Sequence, residues 1–284
     1  MRSRTLVATC AAGILAVGLA SPTAQQTAQP AAQPAAGRGQ AAAAPAAAPA
    51  PAPAPPPVPG GLFVRPQTMA ELLADKGGIP EGFTRIFNGT DLSGWHVSKT
   101  NHHGTTPDYR VVHGTIIGTQ SPIDKGGILL TDRRYKNFEV YMEVKPDWGN
   151  DSGLFLRASE AGQAYQVTLD YLPGGGMGGV YGERLEGVNG QGAPLPEGTA
   201  PVRLLWTDVW KRESWNSVHA RIEGDVPRIK VWINGALVRD WKDTANHAAG
   251  GATDGMIAIQ VHGGARWVPG GFWRWRNIAV KELP

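Results

Sequence analysis

Two short stretches of this chain place hydrogen-bonding and proton-exchanging side chains on one face of what must be a sheet. The first is Asp151-Ser-Gly-Leu-Phe-Leu-Arg157 and the second is Tyr165-Gln-Val-Thr-Leu-Asp170. In each, apolar residues recur at every second position, the signature of a strand with one buried face. Leu154, Leu156, Tyr165, Val167 and Leu169 form the apolar faces; Phe155, Arg157, Gln166, Thr168 and Asp170 point the other way. A cation, an amide, a hydroxyl and a carboxylate on the presented side of a sheet suit a ligand rich in hydroxyls, and a sugar is the natural candidate.

The strands that must hold this face follow one another with turn residues between them. They are predicted at 109–117, 127–131, 138–144, 153–157 and 165–170, then at 218–223, 228–233, 256–262 and 274–281. Many short strands punctuated by Gly, Asn, Asp and Pro, with little helical periodicity, predict an all-β sandwich. Glu223-Gly-Asp-Val-Pro227 reads as a hairpin, and Asn234-Gly235 as a tight turn between strands. Alternation turns Phe138, Val140, Met142 and Val144 inward and Glu139, Tyr141 and Glu143 outward. It also turns Ile257, Ile259 and Val261 inward, with Gln260 and His262 outward. If these strands are neighbours, one face gathers Glu143, Arg157, Gln166, Asp170, Gln260 and His262.

The segments before the sandwich carry other signals. Residues 1–24 read as an export signal, with Arg2 and Arg4 ahead of an apolar run from Leu6 to Ala20. The only cysteine, Cys10, lies inside that run, and Val7-Ala8-Thr9 before it is a poor lipidation site. The exported chain therefore has no thiol and no disulfide, and a periplasmic or secreted location is expected. Residues 25–60, almost all Ala, Pro and Gln, predict an unordered tether, and 61–78 a short helical lead-in opened by Thr68-Met-Ala-Glu71. The globular part is 79–284. No later stretch is long and apolar enough for a transmembrane helix. A net charge of +3 with scattered basic residues argues against a nucleic-acid partner.

A series of short motifs gives a family resemblance. Gly82-Phe-Thr-Arg-Ile-Phe-Asn-Gly-Thr-Asp-Leu-Ser-Gly-Trp95 is similar to the opening signature of the 3-keto-disaccharide hydrolase domain family. Gly126-Gly-Ile-Leu-Leu-Thr131, Tyr135-Lys-Asn-Phe-Glu139, Asp151-Ser-Gly-Leu-Phe-Leu-Arg157 and Gly179-Val-Tyr-Gly182 follow in the family's order. Trp215-Asn216, Val231-Trp-Ile-Asn-Gly235, Ile259-Gln-Val-His262 and Trp275-Arg-Asn-Ile278 complete it. The resemblance implies a jelly-roll sandwich similar to concanavalin-type lectins and glucanases, with ligand on a concave sheet. It also implies action on glycosides oxidised at C3, with no metal or organic cofactor. A C3 ketone acidifies the C2 hydrogen, so a base can remove it, the C1 substituent can leave, and water can add to the enone. Asp170, Glu143 and His262 are then candidate acids or bases, and Arg157, Gln166 and His262 candidate donors to the enolate.

Three positions depart from the family's pattern: Gln166 stands at or beside a frequent glutamate, Asp151 replaces the usual Asn before Ser-Gly, and Tyr109 replaces a common Trp. With Gln166 as a lost base, the same sandwich would be a carbohydrate-binding module without turnover. Tyr181 reads as a hydroxyl donor or a packed tyrosine, and Trp148, in a loop, as a sugar-stacking ring. His102 and His103 read as sugar contacts or plain surface. They are not read as a metal pair, because neighbouring side chains on an extended chain diverge. His113 and His219 read as solvated, and most of the ten tryptophans as core. Pro173-Gly-Gly-Gly-Met177 lacks the Lys-Ser/Thr of a phosphate loop and reads as a flexible loop. No Gly-x-Ser-x-Gly elbow occurs, nor the paired glutamates of endoglucanases sharing this sandwich.

Overall fold

The computed structural model describes residues 77–173 and 175–284; the stretches read from sequence as an export signal, a tether and, up to residue 76, a helical lead-in lie outside them. In chain order the strands are β1 (Thr84–Arg85), β2 (Trp95–Val97), β3 (Asp108–Val112), β4 (Thr115–Thr119), β5 (Gly127–Tyr135), β6 (Phe138–Val144) and β7 (Ser152–Ala158). They continue as β8 (Ala164–Leu169), β9 (Val180–Glu183), β10 (Asn216–Glu223), β11 (Arg228–Ile233), β12 (Ala236–Lys242), β13 (Gly255–Val261) and β14 (Trp273–Glu282). A one-turn helix, α1 (Trp206–Val209), and a 3₁₀ turn at Ala249–Gly251 are the helical pieces among the described residues.

The strands form two antiparallel sheets. One has eight strands in the order β12-β11-β10-β6-β14-β4-β3, with β1 added on β14; the other has six in the order β2-β5-β13-β7-β8-β9. The predicted all-β sandwich is therefore what the chain forms. The alternation read from sequence sets its core. Val140, Met142, Val218, Ile222 and Val231 from the first sheet meet Leu154, Leu156, Val167, Leu169 and Ile259 from the second, all fully buried. Each such side chain taken from water contributes about 1.5–3 kcal/mol, which holds the sheets face to face. Trp210, Trp241, Trp273 and Trp275 are fully buried too, as expected for most of the tryptophans.

Three strand readings change. The strand expected over 109–117 is a hairpin of β3 and β4, turned at His113 and Gly114, both at positive φ (47° and 74°). Strands β9 and β12 carry too few alternating apolar residues to be noticed singly, and they form by pairing with β8 and β11. The Asn234-Gly235 turn forms as predicted, with φ of 50° and 80°. His113 is exposed, but His219 is not solvated: it stacks on Trp232 at 4.5 Å and sits 3.0 Å from Glu139.

Candidate functional site

The outer face of the six-stranded sheet is unusual in being partly apolar. Ile128, Leu130, Phe155, Ala164, Met256 and Ala258 form a second buried cluster there. The loop after β2 and the turn joining β7 to β8 close over it. Ser98 Oγ donates to Glu160 O (2.7 Å) and Asn101 Nδ2 to Ala161 O (3.1 Å). Beside this covered half the sheet stays open as a cleft of about 320 Å³, lined by polar side chains from β8, β9 and β13 and from the loops after β2, before β7, after β8 and after β13.

The neighbouring of β13, β7, β8 and β9 is what assembles the cleft. Gln166 on β8 lies across from Phe155 on β7 and Tyr181 on β9. Gly153 makes room for it, since a Cβ there would fall 2.1 Å from Gln166 Nε2. Gln166 Nε2 donates to Gln260 Oε1 (3.1 Å), and the buried Nε2 of Gln260 has no protein partner. An unsatisfied buried donor facing a cleft is a ready contact for a ligand oxygen.

Next to the amide pair stands a charged group. Asp151 Oδ2 accepts from Arg266 Nε (3.0 Å) and lies 3.6 Å from His262 Nε2. Arg266 also pairs through Nη2 with Asp170, whose other oxygen accepts from Leu172 N at 3.0 Å. Burial, followed by the repulsion of Asp170, pushes Asp151 up to about 6 despite Arg266. Burial, followed by the charge of His103, pulls His262 down to about 4. His262 Nδ1 lies 2.5 Å from Gly263 O, which can only accept, so Nδ1 carries the proton and Nε2 turns a lone pair toward the cleft.

The third group comes from the loop after β2. His103 N donates to Asn101 Oδ1 (3.0 Å), and His103 O accepts from Gly126 N (2.8 Å). This tight turn swings two successive rings to the same side, their centroids 3.9 Å apart. Both reach Glu183 at the far end of β9: His102 Nε2 at 3.1 Å and His103 Nε2 at 3.7 Å from its Oε1. The expectation that neighbouring histidines diverge is thus corrected, because it assumed an extended chain and the segment is a turn. Burial, followed by the charge of His103, holds His102 below its ordinary value.

Of the residues singled out by sequence, Asp170, His262, Gln166, Gln260, Tyr181, His102 and His103 line this cleft. Tyr181 stands at its rim, 55 % exposed. Three others are elsewhere. Glu143 points outward from β6, which belongs to the eight-stranded sheet, so the thickness of the sandwich separates it from the cleft. There it accepts from Arg276 (2.6 Å) and from Gly78 N (2.9 Å). Arg157 sits at the opposite end of β7 from Asp151. At φ 52° its guanidinium donates to Lys136 O, Asn137 Oδ1 and Gly224 O, tying two turns together. Trp148 stacks on Tyr171 at 4.1 Å and carries the Arg212 guanidinium 4.1 Å from its ring, so the ring is engaged within the protein, and it does not line the cleft.

Three lining residues were missed: Asp151, Glu183 and Arg266. Asp151 stood out as a departure from the family's Asn. Glu183 lies two positions after Tyr181, and period two on β9 would have put both on one face. Arg266 is in a loop and has no periodic signal.

No curated protein sequence matches the chain. Among solved structures, a candidate glycosyl hydrolase from Parabacteroides distasonis is 18 % identical, covering 72 % of this chain and 95 % of that one, at a TM-score of 0.46. A carbohydrate binding module from Bacillus subtilis is 14 % identical, over 66 % and 96 % of the two chains, at 0.44. An alginate lyase is 12 % identical, over 72 % and 98 %, at 0.40. Residues 82–281, nearly the whole described sandwich, match the 3-keto-alpha-glucoside-1,2-lyase-like domain, and the chain belongs to that family.

Proposed function

We propose that this protein cleaves 3-keto-glycosides by elimination across C1 and C2, followed by hydration. The observation that carries this reading is the pairing, 3.6 Å apart in one cleft, of an unprotonated His262 Nε2 and a carboxyl of Asp151 raised to about 6. The reaction needs such a pair. A neutral base takes the C2 proton made acidic by the ketone, and an acid near neutrality protonates the oxygen leaving C1. His262 suits the first role and Asp151 the second. The Nε2 of Gln260 and the guanidinium of Arg266 supply donors for the enolate oxygen. Water then adds across the C1–C2 double bond of the enone, and the net result is hydrolysis.

Asp170, with both oxygens engaged by Arg266 and Leu172, positions Arg266 and does not act as the base expected from sequence. The basic start and apolar run within residues 1–24 support export to the periplasm or the medium, where glycosides would be met.

The test is incubation of the protein with a 3-keto-glucoside and with its unoxidised parent, following aglycone release and enone absorbance. Release from the ketone alone is expected. Saturable binding of the parent sugar without release from either compound would instead mean a carbohydrate-binding module.

A further inference from the structure

We propose that the cleft holds one divalent first-row transition-metal ion, bound by His102 Nε2, His103 Nε2 and Glu183 Oε1 and open on the cleft side to an oxygen of the substrate. Among the described residues these three form the one group of His, Cys, Asp and Glu side chains whose ligand atoms converge, all within 4.8 Å of one another. Bonds of about 2.0–2.2 Å to nitrogen and oxygen put neighbouring ligand atoms of a tetrahedral site about 3.3 Å apart. The separations of 3.1 and 3.7 Å to Glu183 bracket that spacing. Two imidazoles and one carboxylate with open positions select a transition ion over calcium or magnesium, which take oxygen ligands.

A second observation is independent of the cluster's geometry. The side chain of His103 is 10 % exposed, and its buried Nε2 has no hydrogen-bond partner. The ring is held there by a built turn: a Cβ on Gly263 would lie 2.4 Å from His103 O, so only glycine lets the backbone pass. Charge points the same way. Asp151, Asp170 and Glu183 line the cleft, and its one lining guanidinium, Arg266, pairs with the two aspartates and not with Glu183. Glu183 is left with the two histidines.

The role of the ion rests on the keto-sugar reading. A metal here would draw charge from the ketone oxygen as His262, whose ring centroid is 4.5 Å from that of His103, takes the C2 proton. The proton passes to His262 Nε2, the C2–H electron pair forms the enolate, and the enolate collapses to expel the C1 oxygen, which Asp151 protonates.

Binding is tested without turnover. The full chain, stripped with chelator, is titrated with Zn²⁺ by calorimetry and with Co²⁺ by its d–d absorption. One equivalent is expected. His103→Ala and Glu183→Gln should each weaken binding by more than the roughly 100-fold typical of outer-shell losses. His113→Ala, on an exposed turn, should leave binding unchanged, and circular dichroism confirms that each variant is folded. Glu183→Gln, nearly isosteric, keeps the test valid should His103→Ala fail to fold. Failure to bind either ion, or equal affinity in wild type and Glu183→Gln, overturns the site. One bound ion with no aglycone released from the 3-keto-glucoside would keep the metal site and overturn the keto-sugar reading alone.

Discussion

Asp151 Oδ2 lies 3.6 Å from His262 Nε2, although the two residues belong to opposite ends of neighbouring antiparallel strands, one just before β7 and the other just after β13. The antiparallel pairing brings those ends together, and Arg266, from the loop that follows β13, clamps the carboxylate from the side. This pairing yields the first prediction. Asp151→Asn and His262→Ala should each lower kcat on a 3-keto-glucoside by about 10²–10⁴-fold, the usual worth of a general acid or base. The double variant should be little worse than the poorer single one, because the two act in one step. Undiminished turnover in both variants would remove them from the mechanism.

The raised Asp151 makes a prediction about stability and pH. Its folded value, about 6, lies above the ordinary 3.8, so the folded protein holds a proton that the unfolded chain has released between those limits. Its contribution is therefore fully present below about pH 4 and is lost as pH rises through 6. Denaturant unfolding of metal-stripped wild type and Asp151→Asn should show the difference between them shifting by up to roughly 3 kcal/mol across that window, in favour of wild type at low pH. A constant difference would mean that the carboxyl titrates normally.

Gly153 is required for space. The three atoms nearest to its Cβ would all belong to the side chain of Gln166, so Gly153→Ala should push Gln166 aside at small cost to the fold. The Gln166–Gln260 bond would be lost, and we expect KM for the keto-sugar to rise about tenfold, the equivalent of roughly 1.4 kcal/mol of a hydrogen-bond pair. A thermal midpoint near wild type with altered KM is the signature; unchanged kinetics would show that the amide pair does not touch substrate.

Arg157 separates stability from activity. Its three hydrogen bonds join the β5–β6 and β10–β11 turns to the end of β7, far along the strand from the cleft. Arg157→Ala should cost about 2–4 kcal/mol by removing three hydrogen bonds and the packing of a buried side chain, with kcat and KM unchanged where the protein is folded. A specific loss of kcat would return Arg157 to the site.

Period two in the sequence was enough to determine most of the strands, their inward and outward faces, and so the all-β sandwich. It determined that Gln166, Asp170, Gln260 and His262 leave the core, because a side chain's face on a strand depends only on its own strand's alternation. Alternation carries no information about which strands are neighbours. Glu143 reads as well as Gln260 by that rule, yet β6 pairs with β10 and β14 in the other sheet, and the tertiary structure alone sent it away. The position along a strand is equally silent, which is why Arg157 went to the wrong end. The convergence of His102, His103 and Glu183 depends on a turn held by Asn101, Gly126 and Gly263, and on β9 adding itself at the sheet edge. The histidines and Glu183 that meet there lie about 80 positions apart in the chain. The chemistry-bearing side chains are therefore legible one strand at a time, but their meeting in one cleft is set by long-range pairing that only the folded chain contains.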